Sequence, residues 1–270
     1  FNVGINFVFL PASDPHKAIQ TAYTRHFTGL VRQGINVVCL QEVHESWLTK
    51  VIILALGVTW AYKHLGSDTR TAICWDKRVF LSVFAETQTN LRVFPTAESV
   101  YKTNRYFIRV ALQPKLNSEV LCFVACVHTH DGKGEHKISG NKEGFKKKAG
   151  SSSVSQFVSS VRELTDPSNP SAPARGMKVI WALAGDCNLD EDSFRQAMAT
   201  VRPEAGVFKE YCDPVRKTRD WILMSAPAGQ LSESMPVARD NMHTAVACKS
   251  VRWDEVESPA PCRIAGTPED

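Results

Sequence analysis

The chain has 270 residues, of which 43% are hydrophobic and 22% charged. That is ordinary globular composition, enough for one large layered domain or two small ones, and it excludes a wholly disordered protein. The formal net charge of +4, from 32 basic and 28 acidic residues, is compatible with a polyanionic partner without arguing for one.

In chain order, Val3–Leu10 reads as a strand and Ala18–Val31 has the spacing of an amphipathic helix. Asn36–Leu40 (NVVCL) is a β-branched strand. Ser46–Leu56 follows as a helix with Ser46 as its N-cap. Thr71–Trp75, Val79–Phe84, Tyr106–Leu112 and Val120–Val127 are further strands. Ser151–Leu164, apolar at 154, 157, 158 and 161, is a helix. Lys178–Leu183 is a strand, and Asp192–Val201 is a helix whose acids sit at its positive end. Trp221–Met224 and Thr244–Ala247 are short strands. The mixture points to stacked α/β layers rather than an alternating barrel. Asp166–Arg175 reads as a surface loop inside one domain, so the expected organisation is a single domain over 1–256 and a loose tail over 257–270.

No repeat of 20–50 residues is visible, and Pro and Gly show no period. The longest apolar run, near Val51–Val58, falls well short of the roughly 20 residues of a membrane-spanning helix. Eight Cys are too sparse for a disulfide scaffold. Cys39, Cys122, Cys126 and Cys248 lie in apolar runs and read as small buried hydrophobes. Cys212 and Cys262 lie in polar stretches, where a disulfide is open but unsupported. No zinc-type Cys/His spacing occurs. The start at Phe1, without Met, reads as a processed or excised piece, and the compartment is not legible.

The informative pattern lies where apolar strands stop. Asn36–Leu40 ends in Gln41-Glu42, Val120–Val127 in His128-Thr129-His130, and Lys178–Leu183 in Ala184-Gly185-Asp186-Cys187-Asn188. Carboxylate, imidazole and amide groups therefore leave three buried strands at their carboxyl ends, where α/β sheets form ligand crevices. Each motif alone is also ordinary turn chemistry.

Taken in order, the motifs GINFVF, NVVCLQEV, TAICWDKRVF, NRYFIRVAL, CFVACVHTH, WALAGDCNLD, RDWILMS and NMHTAV resemble the endonuclease/exonuclease/phosphatase superfamily. The likeness is nearest to its pancreatic-type deoxyribonuclease and cytolethal-distending-toxin branches, and it runs from Asn6 to about Val246. The resemblance implies a four-layer α/β/β/α sandwich of two mixed sheets flanked by helices, with a metal-dependent site at one edge. It also implies the roles. Glu42 is the main metal ligand, with Asn6 beside it, for Mg²⁺, Mn²⁺ or Ca²⁺. His243 is the general base and Asp220 orients it. Asp186 and Asn188 position water and phosphate. His128, with His130 as its competitor, contacts a phosphate oxygen or acts on the leaving group. Arg105, with Arg109 as its rival, grips phosphate. Such residue types suit the reaction: a hard cation takes oxygen ligands, and imidazole exchanges protons near neutrality.

Two departures stand out. Met242 replaces the Asp that usually precedes the base, and Asp240 is the nearest substitute metal ligand. Thr69, beside Asp68, stands where deoxyribonucleases carry a Glu. Lys146, Lys147 and Lys148 lie in a basic stretch, 132–150, that follows the His128 strand and could hold a nucleic-acid backbone or be a solvated loop. The expected function is a divalent-metal-dependent endonuclease acting as a monomer on nucleic acid, DNA before RNA, with little sequence preference. The alternatives are a phosphatase or phospholipase using the same site, or a catalytically silent binding relative.

Overall fold

The computed structural model describes residues 14–65, 71–91, 105–128, 168, 177–205, 208–211, 220–225, 235–236 and 244–245. The strand expected over Val3–Leu10, the helix over Ser151–Leu164 and the tail from 257 lie outside these residues.

Helix α1 (Asp14–Arg32) buries Tyr23, Phe27 and Leu30, spaced four and three apart on one face. Strand β1 (Val37–Leu40) follows. The next helix differs from expectation. It is α2 (Glu45–Trp47), a π-helical turn (Leu48–Ile52) and α3 (Ile53–Leu56). Within it the Thr49 hydroxyl donates to the Glu45 carbonyl at 2.9 Å, competing with the helical ladder. The N-cap is His44 rather than Ser46. Its backbone is extended, and its Nδ1 accepts the Ser46 N–H at 3.2 Å, the task a serine hydroxyl usually performs.

Strands β2 (Trp60–Leu65) and β3 (Thr71–Asp76) join β1 in an antiparallel sheet of order β1-β3-β2. Strands β4 (Phe80–Leu91), β5 (Arg105–Pro114), β6 (Val120–His128) and β7 (Lys178–Asp186) lead into helix α4 (Glu191–Ala205). Strands β8 (Phe208–Tyr211) and β9 (Asp220–Ser225) complete a second sheet of order β4-β5-β6-β7-β9-β8. In it, β6 and β7 are parallel and every other pair is antiparallel. A small ladder joins β10 (Met235–Pro236) to β11 (Thr244–Ala245).

Alternation along the strands sets the layers. On one face of the first sheet, Val38, Leu40, Ala72 and Cys74 pack against Phe27 and Trp47 of the helices. The opposite face, with Ile73 and Trp75, packs against Ile108, Val110, Val124 and Ile180 of the second sheet. Beyond that sheet, Phe194 of α4 stacks on Trp221 of β9, with ring centroids 3.7 Å apart and planes at 8°. The order helix, sheet, sheet, helix is the expected sandwich. The α4 terminus is set by Asp190, whose Oδ1 accepts the Ser193 N–H at 2.8 Å. Among the described cysteines, Cys74, Cys122, Cys126 and Cys187 are buried free thiols, and Cys39 is a half-buried one.

Candidate active site at one edge of the sandwich

The residues of β6 that pack between the sheets are Val120, Cys122, Val124 and Cys126. Two residues further on, the same face presents His128. In β7 the same alternation carries from Ile180 to Asp186. Because β6 and β7 are parallel, both strands release these residues at one edge, in register as His128↔Asp186. On the other side of β7, Asp186 pairs with Asp220, the first residue of β9.

Gly185 makes this approach possible. Its φ is 154°, and a Cβ there would overlap the Val127 carbonyl oxygen. Only glycine lets β7 come so close to β6 just before Asp186. Past the strand, Asn188 adopts φ 52°, a left-handed conformation that Asn tolerates. Its N–H donates to Asp186 Oδ1 at 2.7 Å, which fixes the buried carboxylate.

Glu42 arrives from the first sheet. It follows β1 with φ 53°, unusual for a residue with a long side chain. Its Oε1 lies 3.6 Å from His128 Nε2, and Asp186 Oδ2 lies 3.8 Å from the same nitrogen. One imidazole nitrogen thus lies near two carboxylates, one just past the first sheet and one at the end of a strand of the second. Their exposures differ: the Glu42 side chain is 27% exposed and that of Asp186 only 2%. Glu42 faces the solvent from which a substrate would come, whereas Asp186 is closed in.

The structure therefore brings together Glu42, His128, Asp186 and Asn188, and it places Asp220 in register beside Asp186. Arg105 opens β5, paired with Leu91, at the edge where β6 ends. Arg109 is buried and alternates with Ile108 and Val110, so it occupies the face turned away from the first sheet. By the same alternation Arg105, four residues earlier on β5, shares that face. Asn6, Asp68, Thr69, His130, Lys146, Lys147, Lys148, Asp240, Met242 and His243 lie outside the described residues. Sequence reasoning missed Gln41 and Cys126 as site neighbours. Gln41 Nε2 donates to Cys126 Sγ at 3.0 Å. An apolar run gives no hint that its cysteine hydrogen-bonds.

Among the described residues, no group of three or more His, Cys, Asp and Glu is arranged to hold a metal ion by itself. The donors still suit a hard divalent cation, because Mg²⁺ is commonly bound by one or two carboxylates, with water and substrate phosphate completing its shell. The accessible carboxylate of Glu42 is such a donor.

No family model and no curated protein matches the chain. Solved structures do. A humanized TDP2 from D. rerio gives a TM-score of 0.55 at 12% identity, covering 88% of each chain. TDP2 from the same organism, complexed with single strand DNA product, gives 0.52 at 12% identity, covering 86% of this chain and 87% of that one. A mannosyl-6-phosphatase of Bacteroides thetaiotaomicron gives 0.53 at 15% identity, covering 83% and 85%. An endonuclease/exonuclease/phosphatase family protein of the same bacterium gives 0.52 at 15% identity, covering 76% and 73%. With its two packed sheets, its flanking helices and its polar edge, this chain has the fold of the endonuclease/exonuclease/phosphatase proteins.

Proposed function

We propose that the chain is a divalent-metal-dependent phosphodiesterase, an endonuclease that hydrolyses DNA with little sequence preference. The observation that carries this reading is the meeting of Glu42, His128 and Asp186 within 4 Å contacts at the open edge of this fold. The D. rerio TDP2 complex with a single strand DNA product adds support for a nucleic-acid substrate.

In this reading Glu42 holds the cation, with Asn6 and Asp240 as partners. The cation, when bound, neutralises phosphate charge and stabilises the leaving alkoxide. The chain's own groups do the rest. His243 takes the proton of the attacking water, and Asp220 fixes its tautomer and stabilises its cation. Asp186 and Asn188 orient water and phosphate. His128, backed by two carboxylates, donates to a phosphate oxygen. Arg105 and Lys146–Lys148 hold the substrate backbone through phosphate contacts. The unit is residues 1–256, acting as a monomer.

Plasmid nicking tests the reading. Cleavage is expected with Mg²⁺ or Mn²⁺, none with EDTA, and none from Glu42→Ala. Equal cleavage in EDTA would refute metal dependence. The mannosyl-6-phosphatase likeness favours a second reading, a phosphomonoesterase on the same site. Phosphate release from a sugar 6-phosphate without plasmid nicking would select it. Absence of both activities would select the silent relative.

A further inference from the structure

We infer that Gln41 is a positioning residue whose amide, anchored on the Cys126 thiol of the opposite sheet, holds Glu42 within reach of His128. This rests on the reading of Glu42 and His128 as parts of a phosphoesterase centre.

Gln41 immediately precedes Glu42 and is fully buried. Its Nε2 donates to Cys126 Sγ at 3.0 Å, and that thiol donates to the Leu40 carbonyl at 3.3 Å. Two consecutive residues at the end of the first sheet thus fasten to one atom of β6. Cys126 stands two residues before His128 on that strand, so the anchor and the imidazole move together. On the far side of Glu42, Val43 is buried and its carbonyl lies 3.0 Å from His64 Nε2. Between these two fixed neighbours sits Glu42, at φ 53°. That conformation is disfavoured for a glutamate and persists only where its surroundings impose it.

A core amide with half its capacity unused is otherwise hard to account for. Gln41 Oε1 has no hydrogen-bond partner among the described residues. Burying an unsatisfied carbonyl costs stability, and an apolar side chain of similar volume would avoid that cost. The N–H half is the part that makes a contact, and the contact it makes leads to His128.

The test is the crystal structure and kinetics of Gln41→Leu, which keeps volume and burial and removes the donor. Glu42 is expected to leave its φ near 53° and to move its carboxylate beyond 4 Å from His128 Nε2. With Mn²⁺ and bis(p-nitrophenyl) phosphate, kcat should fall by about 10- to 100-fold while KM stays within about twofold. Cys126→Ala should reproduce both changes. Cys126→Ser, which keeps an acceptor and a donor, should restore both towards wild type. An unmoved Glu42 in Gln41→Leu overturns the inference, as does an equal effect of Ala and Ser at 126. Should Gln41→Leu fail to fold, the Ala/Ser pair at 126 decides by the same criteria. If the wild-type protein hydrolyses no phosphodiester, the proposed function fails, and the Glu42–His128 separation in the variants still decides the positioning role.

Discussion

At the scale of single residues, the site is made by side chains whose surroundings leave them little choice. His128 is nearly buried, and its Nε2 lies within 4 Å of both the Glu42 and the Asp186 carboxylates. Removing it would leave both carboxylates without the imidazole N–H they share. His128→Ala is therefore expected to lower kcat of the proposed reaction by about 100-fold or more, with its secondary structure kept. Single-turnover kinetics and circular dichroism together check this. A different imidazole, remote from the site, sets an acid limit on the fold. Burial pushes His26 in α1 down from 6.5 to about 4. The unfolded chain takes a proton there below 6.5, and the native state refuses it until about 4. The native advantage is full above 6.5 and is lost as pH falls between those values, by about 3 kcal/mol from this group alone. Urea unfolding at pH 7, 5.5 and 4.5 should show this loss, and His26→Gln should reduce it. A pH dependence identical in the variant would assign the acid limb to other groups.

At the scale of elements, the Ala-Gly-Asp end of β7 shows how a strand is shaped to deliver a residue. A methyl group at 185 would meet the Val127 carbonyl, and the backbone conformation there is one that side chains rarely adopt. Gly185→Ala is expected to push β7 from β6, to separate Asp186 from His128, and to destabilise the fold by about 3 kcal/mol. Chemical denaturation measures the second effect and crystallography the first. A fully stable variant with the His128–Asp186 contact intact would show that the strands can part elsewhere without cost. The Ser46–Leu56 segment carries a different lesson. Its apolar spacing announced a helix, and a helical segment is there. The histidine cap and the π-helical turn were not legible, because both arise from side-chain hydrogen bonds that compete with the regular ladder. Strands β2 and β8 were missed for a related reason. WAYKHL and FKEY lack clean alternation, and each pairs as an edge strand.

At the scale of the whole molecule, two sheets packed face to face put the ends of β1, β6 and β7 at one edge. Elements far apart in sequence thus supply one cluster. A modest net charge of +4 gives the molecule no strong general attraction to polyanions. Nucleic-acid binding should therefore depend on a local patch. Replacing Lys146, Lys147 and Lys148 by Gln is expected to weaken DNA affinity and to flatten the plot of log affinity against log salt by up to about three units of slope. Fluorescence anisotropy over a salt series reads both. An unchanged slope would return the 132–150 stretch to a solvated loop.

The sequence by itself determined the layered α/β class, most of the strands, and the Glu42, His128, Asp186 and Asn188 motifs. Those features are local: apolar runs of strand length, and polar residues placed just after them. Only the tertiary structure decided that Glu42 and Asp186 approach one imidazole nitrogen, that Arg109 lies on the face turned from the first sheet, and that Gln41 and Cys126 link the sheets behind the site. Each of these depends on strand register and on which face of a sheet meets its neighbour. A one-residue shift would reverse every such assignment without altering a single motif.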